Sequence, residues 1–225
     1  MVAQTLIDPN MLVSKLVTYS TDTGQNLDIQ YTVGAVQGVP ITFISVGPNN
    51  RDGFKRHLDF AQYLLSMPQP PQVVTTSYGF DESNVDPRFA IFASGDGGVG
   101  REPTVNCPLY AGKFNPNGCT FPNVTTQAVN VEPVNGGKYE NDYGTSAASL
   151  MFASVIALLN DQCITTRNRP LGFLNPLLYA NPSILNDITS DSNPNRFSSI
   201  DSWDPVTGLG TPNYTTLRRV VGVGG

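Results

Sequence analysis

The sequence has little charge and few of the residues that usually carry metal or redox chemistry. Only 14% of its 225 residues are charged, against about a quarter in average soluble domains, and it holds one histidine, one tryptophan and three cysteines. This low charge disfavours helical bundles and coiled coils. Because 13 basic residues face 18 acidic ones, the net charge is -5, which repels phosphate backbones. We therefore expect no nucleic-acid partner.

Long apolar runs are absent as well. The apolar runs in the sequence fall far short of the roughly 20 residues that span a bilayer, so we do not expect this chain to be an integral membrane protein. The segment Met1–Pro9 lacks the basic start and apolar stretch of a signal peptide. The length predicts a single domain over residues 1–225.

Cysteine usage and sequons say little about the compartment. Cys107 and Cys119 lie in a stretch rich in Gly, Pro and Asn, where a disulfide could close a small loop and leave Cys163 as the odd thiol. Asn123 and Asn213 begin Asn-X-Thr sequons, which point weakly towards the secretory route. The pI near 4.7 suits a protein that works in acid.

Helix-like and strand-like segments alternate along the chain. Apolar residues at three- and four-residue spacing predict helices, and β-branched runs predict strands. In chain order the predictions are helix Asn26–Val36, strand Val39–Val46, helix Gly53–Leu65, strand Gln72–Tyr78, strand Arg88–Ser94, helix Ser146–Asp161 and a short helix around Thr216–Val221. The order strand, helix, strand is typical of a parallel sheet with crossover helices, an α/β fold.

Two details of this pattern invite a structural test. The second helix should pack through one apolar stripe, made of Phe54, Leu58, Ala61 and Leu65. Only nine residues separate Tyr78 from Arg88, whereas a parallel crossover needs about a dozen or more. Either these two strands are antiparallel or a crossover helix is missing.

The segment Gly144-Thr-Ser-Ala147 is the strongest local indication of chemistry. Ser146 stands at the mouth of an apolar helix, where unpaired amide donors favour an alkoxide or an adjacent oxyanion. The alternative is an ordinary serine N-cap. His57, the sole histidine, lies on the shoulder of an amphipathic helix, so we expect it to be structural. A nucleophilic Ser146 would then need a carboxylate base, which stays deprotonated near pH 4 to 5.

Two aspartates have unusual surroundings. Asp96 follows a predicted strand and opens into glycines, as in sites where backbone approaches a ligand; a turn-forming aspartate is the alternative. Asp28 lies between Leu27 and Ile29 on an otherwise apolar helix face, where a buried carboxylate needs a partner. Its alternative is a solvent-facing position.

Carboxylates and carbonyls also cluster near the end of the chain, in Asn186-Asp-Ile188 and Asp201–Gly208. Such oxygen ligands on loops are what calcium requires, although aspartates of ordinary turns give the same pattern. The sequence contains no HxxEH motif, no paired CxxC and no P-loop, which disfavours zinc and nucleotide chemistry.

Taken together, these motifs resemble the sedolisins, or serine-carboxyl peptidases, and in particular their fungal tripeptidyl-peptidase-like members. The matching segments run in family order across nearly the whole chain: Asn26–Gly34, Thr42–Gly47, Thr76–Gly79, Ser94–Gly100, Gly137–Ala147, Leu171–Tyr179 and Trp203–Asn213.

The resemblance implies a subtilisin-like α/β fold, a parallel sheet flanked by helices and here incomplete, that forms one catalytic domain and hydrolyses peptides at acid pH. It implies that Ser146 is the nucleophile, that Asp28 orients the base, and that a protonated Asp96 donates a hydrogen bond to the oxyanion. It further implies an extracellular monomer that binds one calcium ion in its C-terminal part, about residues 181–215. The implied ligands are the side chains of Asp187 and Asp204 and the carbonyls of Ile188, Ile200 and Ser202.

This chain also departs from the family pattern. The general-base Glu would stand four residues before Asp28, where the sequence has Gly24. Leu150 replaces a family proline, and two family glycines fall at Ile200 and Ser202. Family segments are missing after Tyr78 and after Cys119, so the chain looks internally deleted and lacks the prodomain. The alternative function is therefore a non-catalytic, calcium-stabilised remnant; a histidine-based subtilisin is disfavoured by the context of His57.

Overall fold

The computed structural model describes residues 16–20, 25–45, 53–76, 91–92, 122–135, 137–190, 192 and 198–224. The helices in these parts are α1 (Gln25–Ala35), α2 (Gly53–Ser66), α3 (Thr145–Thr165), α4 (Asn175–Ala180) and α5 (Tyr214–Val220), with a 3-10 turn at Pro182–Ile184. The strands are β1 (Leu16–Ser20), β2 (Ile41–Ser45), β3 (Val73–Thr76), β4 (Ile91–Phe92), β5 (Val129–Val131), β6 (Val134–Asn135), β7 (Lys138–Tyr139), β8 (Asp142–Tyr143), β9 (Leu185–Asn186) and β10 (Thr211–Pro212).

The four N-terminal strands form one parallel sheet in the order β2-β1-β3-β4. Helix α1 connects β1 to β2 and helix α2 connects β2 to β3, which gives two successive βαβ units. The predicted α/β organisation is thus confirmed. Strands β3 and β4 are parallel, so the antiparallel alternative for this pair is wrong; their connection, residues 77–90, lies outside the described residues.

Helices cover both faces of this sheet. Val73 belongs to the apolar cluster built around α3, whereas its neighbour Val74 packs with Ile44 and with Phe60 of α2. Because successive side chains of a strand point to opposite faces, α3 and α2 lie on opposite sides of β3. Helix α1 contacts α3 and therefore shares its side.

Helix α3 is the centre of the core. Its one charged residue is Asp161, and most of its buried apolar residues join those from the sheet side and from the C-terminal part in one cluster that extends from Val36 to Val223. Cys163 on this helix is a free, buried thiol, and burial raises its pKa, which keeps it protonated and unreactive. By length and composition α3 also qualifies as a membrane-spanning segment, but 61% of that window is buried inside the protein.

The predicted helices and strands of the sheet region are confirmed within a few residues, but the predicted stripe of α2 is wrong at its end. Leu65 is 84% exposed, and α2 packs instead through Phe60, Tyr63 and Leu64. This pattern has the same four-residue spacing, and it buries an aromatic ring. The sequence interpretation also missed β1 and α4, which are only five and six residues long.

Candidate functional site

The first feature of the candidate site is the end of the parallel sheet at which the carboxyl ends of its strands lie. From β1 the chain moves to β2 on one side, then crosses to β3 on the other side of β1. The direction of winding therefore reverses between β1 and β3. In open α/β sheets, ligands bind in the crevice at the carboxyl ends of the two strands where this reversal occurs.

Asp28 lies in the first turn of α1, shortly after the carboxyl end of β1. Asp28 is fully buried, and so is Thr32, which lies one helical turn further on. The solvent-facing alternative is therefore wrong. Leu27, its neighbour, packs in one cluster with Val131 and with Ala147 of α3, so the start of α1 adjoins the start of α3.

Ser146 is the second residue of α3 and is partly exposed. The N-cap of this helix is Gly144, which makes no side-chain cap, so the N-cap interpretation of Ser146 is wrong. Gly144 has φ 154° and ψ 154°, a conformation that favours glycine, and its N–H donates to the Ala128 carbonyl at 2.8 Å. In the first turn, Ser146 lies among the amide groups at the positive end of the helix dipole.

A buried polar contact fixes this helix end to the sheet. The Ser149 and Thr75 hydroxyls are 2.7 Å apart, and the Ser149 hydroxyl also lies 3.2 Å from the Thr76 carbonyl. Thr76 is the last residue of β3, and Ser146 stands one turn before Ser149 on the same helix side. The contact therefore holds Ser146 at the carboxyl edge of the sheet, the edge near which α1 carries Asp28.

The described residues thus bring two of the three predicted catalytic residues to one region. Asp96 lies outside the described residues, although it follows the parallel strand β4 by four positions in the sequence. Gly24, Cys107 and Cys119 also lie outside them, and so does the side chain of His57 on α2.

The second region is the C-terminal loop that carries the predicted calcium ligands. Asp204 is fully buried, and its carboxylate accepts hydrogen bonds from the Val206 and Thr207 N–H groups, both at 2.7 Å, and from the Thr207 hydroxyl at 2.9 Å. The Ile200 N–H lies 3.4 Å from the same carboxylate. Among the described residues no lysine or arginine pairs with Asp204, and a buried carboxylate without a counter-charge is costly.

Asp187, which precedes this loop in the sequence, also contacts it. Its carboxylate accepts a hydrogen bond from the Ser202 N–H at 2.6 Å. Ser202 has φ 71°, a left-handed conformation that glycine adopts more readily, and the motif resemblance implies glycine at this position. The five predicted ligands therefore lie on segments that meet, and their oxygen donors match calcium chemistry.

The described residues contain no group of three or more His, Cys, Asp or Glu side chains that could hold a metal ion. A site made of two carboxylates and three carbonyls, as predicted here, does not form such a group. Calcium binding therefore stays a prediction.

Sequence interpretation missed two features beside Ser146. One is the contact between Ser149 and Thr75, which only the tertiary structure can pair. The other is an exposed pair, Tyr143 (71% exposed) and Val129 (61% exposed), on the strands that precede α3. An aromatic residue three positions before a candidate nucleophile was the available indication.

Comparison with known proteins identifies the class: the chain is similar to fungal tripeptidyl-peptidases of the sedolisin type, which confirms the resemblance found in its motifs. No family model matches the chain.

Three relatives illustrate this similarity. Aorsin of Aspergillus oryzae is 42% identical over 123 residues, 53% of this chain and 19% of aorsin. Tripeptidyl-peptidase sed1 of Aspergillus fumigatus is 39% identical over 139 residues, 60% of this chain and 20% of the relative. Tripeptidyl-peptidase SED2 of Arthroderma otae is 26% identical over 313 residues, 89% of this chain and 52% of the relative.

The chain thus spans about a fifth of the first two relatives and about half of the third. The third alignment runs over 313 positions, more than the 225 residues of this chain. The relative therefore carries segments that this chain lacks within the aligned region, which agrees with the predicted internal deletions.

Proposed function

We propose that this chain is a serine-carboxyl peptidase by descent, with a subtilisin-like fold, that hydrolyses peptides at acid pH. The observation that carries the proposal is the placement of Ser146 and Asp28. The first turn of α3 bears Ser146 and the first turn of α1 bears a wholly buried Asp28, and the neighbours of both residues pack together. Similarity to tripeptidyl-peptidases supports peptides with free N-termini as substrates.

The proposed reaction begins when the Ser146 hydroxyl attacks the scissile carbonyl. A carboxylate takes the hydroxyl proton and then delivers it to the leaving amine, and water hydrolyses the acyl-enzyme by the reverse proton path. Asp22 is the substitute for this role in the present chain, because position 24 is glycine. Asp28 orients the carboxylate that acts as base. Amides in the first turn of α3 and a protonated Asp96 donate to the oxyanion, so activity requires acid.

The proposed base position is occupied by Gly24, which has no side chain to act. Loss of a general base typically forfeits about 10² to 10⁴ in rate. Together with the segments that the relatives carry and this chain lacks, Gly24 favours a second candidate: a non-catalytic remnant that retains the fold and the calcium site.

Further parts of the proposal follow from family resemblance. Residues 1–225 form one catalytic domain that acts outside the cell as a monomer on peptides or proteins, without nucleic-acid or membrane partners. One calcium ion is held in residues 181–215 by Asp187, Asp204 and the carbonyls of Ile188, Ile200 and Ser202. The ion would cross-link the two loops that carry its ligands. It would also balance the buried charge of Asp204.

A serine-directed phosphonate biotin probe at pH 4 tests the nucleophile. We expect labelling of the unmodified chain and loss of labelling in Ser146→Ala, while Ser198→Ala, which changes an exposed serine, stays labelled. Labelling that persists in Ser146→Ala removes Ser146 from the mechanism. A folded chain that is neither labelled nor hydrolyses a tripeptidyl substrate is the remnant of the second candidate.

A further inference from the structure

Two exposed apolar residues face each other on the strands that precede α3. In the antiparallel pair β5 and β8, Tyr143 lies opposite Val129, and the two residues are 71% and 61% exposed. Cross-strand pairs of aromatic and β-branched residues stabilise sheets through mutual contact, and adjacent apolar side chains left open to solvent mark binding surfaces.

This pair is tied closely to the candidate nucleophile. Tyr143 directly precedes Gly144, the N-cap of α3, and Ser146 follows two residues later. Three residues of fully extended chain span at most about 10 Å, so the Tyr143 and Ser146 backbones lie within that distance. The hydrogen bond from the Gly144 N–H to the Ala128 carbonyl also holds Val129 near the start of α3, because Val129 directly follows Ala128.

The pair is therefore within reach of a peptide whose scissile bond lies at Ser146. An extended peptide advances about 3.3 Å per residue, so 10 Å corresponds to about three substrate residues. A polar group borders the pair, because the Asp142 carboxylate accepts a hydrogen bond from the Tyr143 N–H at 2.8 Å. The Tyr143 ring and the Val129 side chain form the apolar surface.

We propose that Val129 and Tyr143 form a substrate contact that selects an apolar side chain within three residues of the scissile bond. This inference rests on the proposed function, because it takes Ser146 as the reacting residue. The occupant is the peptide substrate itself, since the pair lies on the chain that leads directly into α3. An apolar side chain would remove both exposed residues from water.

The chain supplies a matched control. In the neighbouring hairpin, Tyr139 of β7 lies opposite Val134 of β6, and Tyr139 is 80% exposed. This pair has the same two residue types in the same cross-strand arrangement, but Tyr139 precedes Ser146 by seven residues instead of three. Gln30 on α1 fixes this hairpin through hydrogen bonds with the N–H and the carbonyl of Val134, at 2.7 and 2.8 Å.

The experiment measures binding without turnover, in the full chain carrying Ser146→Ala. The probes are hexapeptides labelled with tetramethylrhodamine on a C-terminal lysine, one all-alanine and the others with a single phenylalanine at each position in turn. Fluorescence anisotropy at pH 4.5 gives each Kd. We expect phenylalanine at one position to lower Kd at least fivefold, and Tyr143→Ser or Val129→Ser to remove that gain, whereas Tyr139→Ser retains it.

Several outcomes overturn the inference: no binding of any peptide, no preference for phenylalanine, or an equal loss in Tyr139→Ser and Tyr143→Ser. If circular dichroism shows that Tyr143→Ser is unfolded, Val129→Ser decides. Failure of the proposed function is separate, because it appears as absent Ser146 labelling in the parent chain even where peptide selection at Tyr143 is intact.

Discussion

Ser149 and Thr75 share a buried hydrogen bond between α3 and β3, with 2.7 Å between their hydroxyl oxygens. Thr75 is wholly buried and Ser149 is 5% exposed. The Ser149 hydroxyl also lies 3.2 Å from the Thr76 carbonyl, so one serine contacts two successive residues at the end of β3. The attachment of the helix that carries Ser146 thus depends on polar contacts as well as on apolar packing.

Replacing this serine should destabilise the fold. In Ser149→Ala the Thr75 hydroxyl loses its partner in a buried site, which costs about 1 to 3 kcal/mol of unfolding free energy. Urea denaturation measures the change. Ser154→Ala is the matched control, because Ser154 is buried on the same helix but donates only to its own helical Leu150 carbonyl, at 2.8 Å, and should change stability by less than about 0.5 kcal/mol. Equal stability of the two variants would contradict the assigned role of Ser149.

The sequence predicts the elements around this contact but not the contact itself. Periodicity locates α1, α2 and α3, and the order of strands and helices predicts a parallel sheet. Pairing Ser149 with Thr75 requires knowledge of which helix face meets which strand, and small polar residues in an apolar helix do not reveal that. Leu65 illustrates the same limit: two apolar stripes fit α2, and packing against Ile44 selects the one with Phe60.

The candidate site was predictable mainly through short motifs. Gly144 adopts a backbone conformation that favours glycine, which explains why the segment before Ser146 has this sequence. Asp28 shares its buried helix face with Thr32 and not with its neighbour Ile29, which is 38% exposed, so the apolar residues beside it in the sequence do not explain its burial. The exposure of Tyr143 and Val129 was not predicted, because aromatic and β-branched residues on strands usually pack against neighbouring side chains.

Ser202 offers a test of backbone strain in the predicted calcium loop. Its φ of 71° costs a non-glycine residue about 1 to 2 kcal/mol. Ser202→Gly should therefore raise the unfolding free energy by about 0.5 to 1 kcal/mol after the entropy that glycine gains on unfolding is subtracted. The N–H that donates to Asp187 is retained in this variant. Ser198→Gly, at a residue without positive φ, should lower stability in the same urea experiment; if both variants lower it, φ strain at Ser202 is not relieved.

Calcium should stabilise the folded chain through the same loop. At a free calcium concentration 100 times Kd, preferential binding to the folded state adds about 2.7 kcal/mol, so Tm should rise along a titration at pH 6. Asp187→Asn should reduce this rise, because it removes one of the two carboxylate ligands. Asp201→Asn is the control, since Asp201 is an exposed neighbour outside the predicted ligand set. A Tm that stays constant in calcium, measured on a folded sample, would exclude the proposed ion.

The last prediction concerns the missing base. Helix α1 begins at Gln25, directly after Gly24 in the sequence, and Asp28 lies in its first turn. Residues four apart share a helix face, and a carboxylate at a helix N-terminus is favoured by the dipole, so Glu at position 24 would stand one turn from Asp28. Gly24→Glu should therefore raise hydrolysis of a tripeptidyl substrate at pH 4 at least tenfold, and Ser146→Ala should abolish the gain. Gly24→Gln, which has the same shape without the charge, should leave the rate at the parent level. Equal rates for the two variants would show that a carboxylate at position 24 does not act as base, and loss of parental activity in Asp22→Asn would assign that role to Asp22.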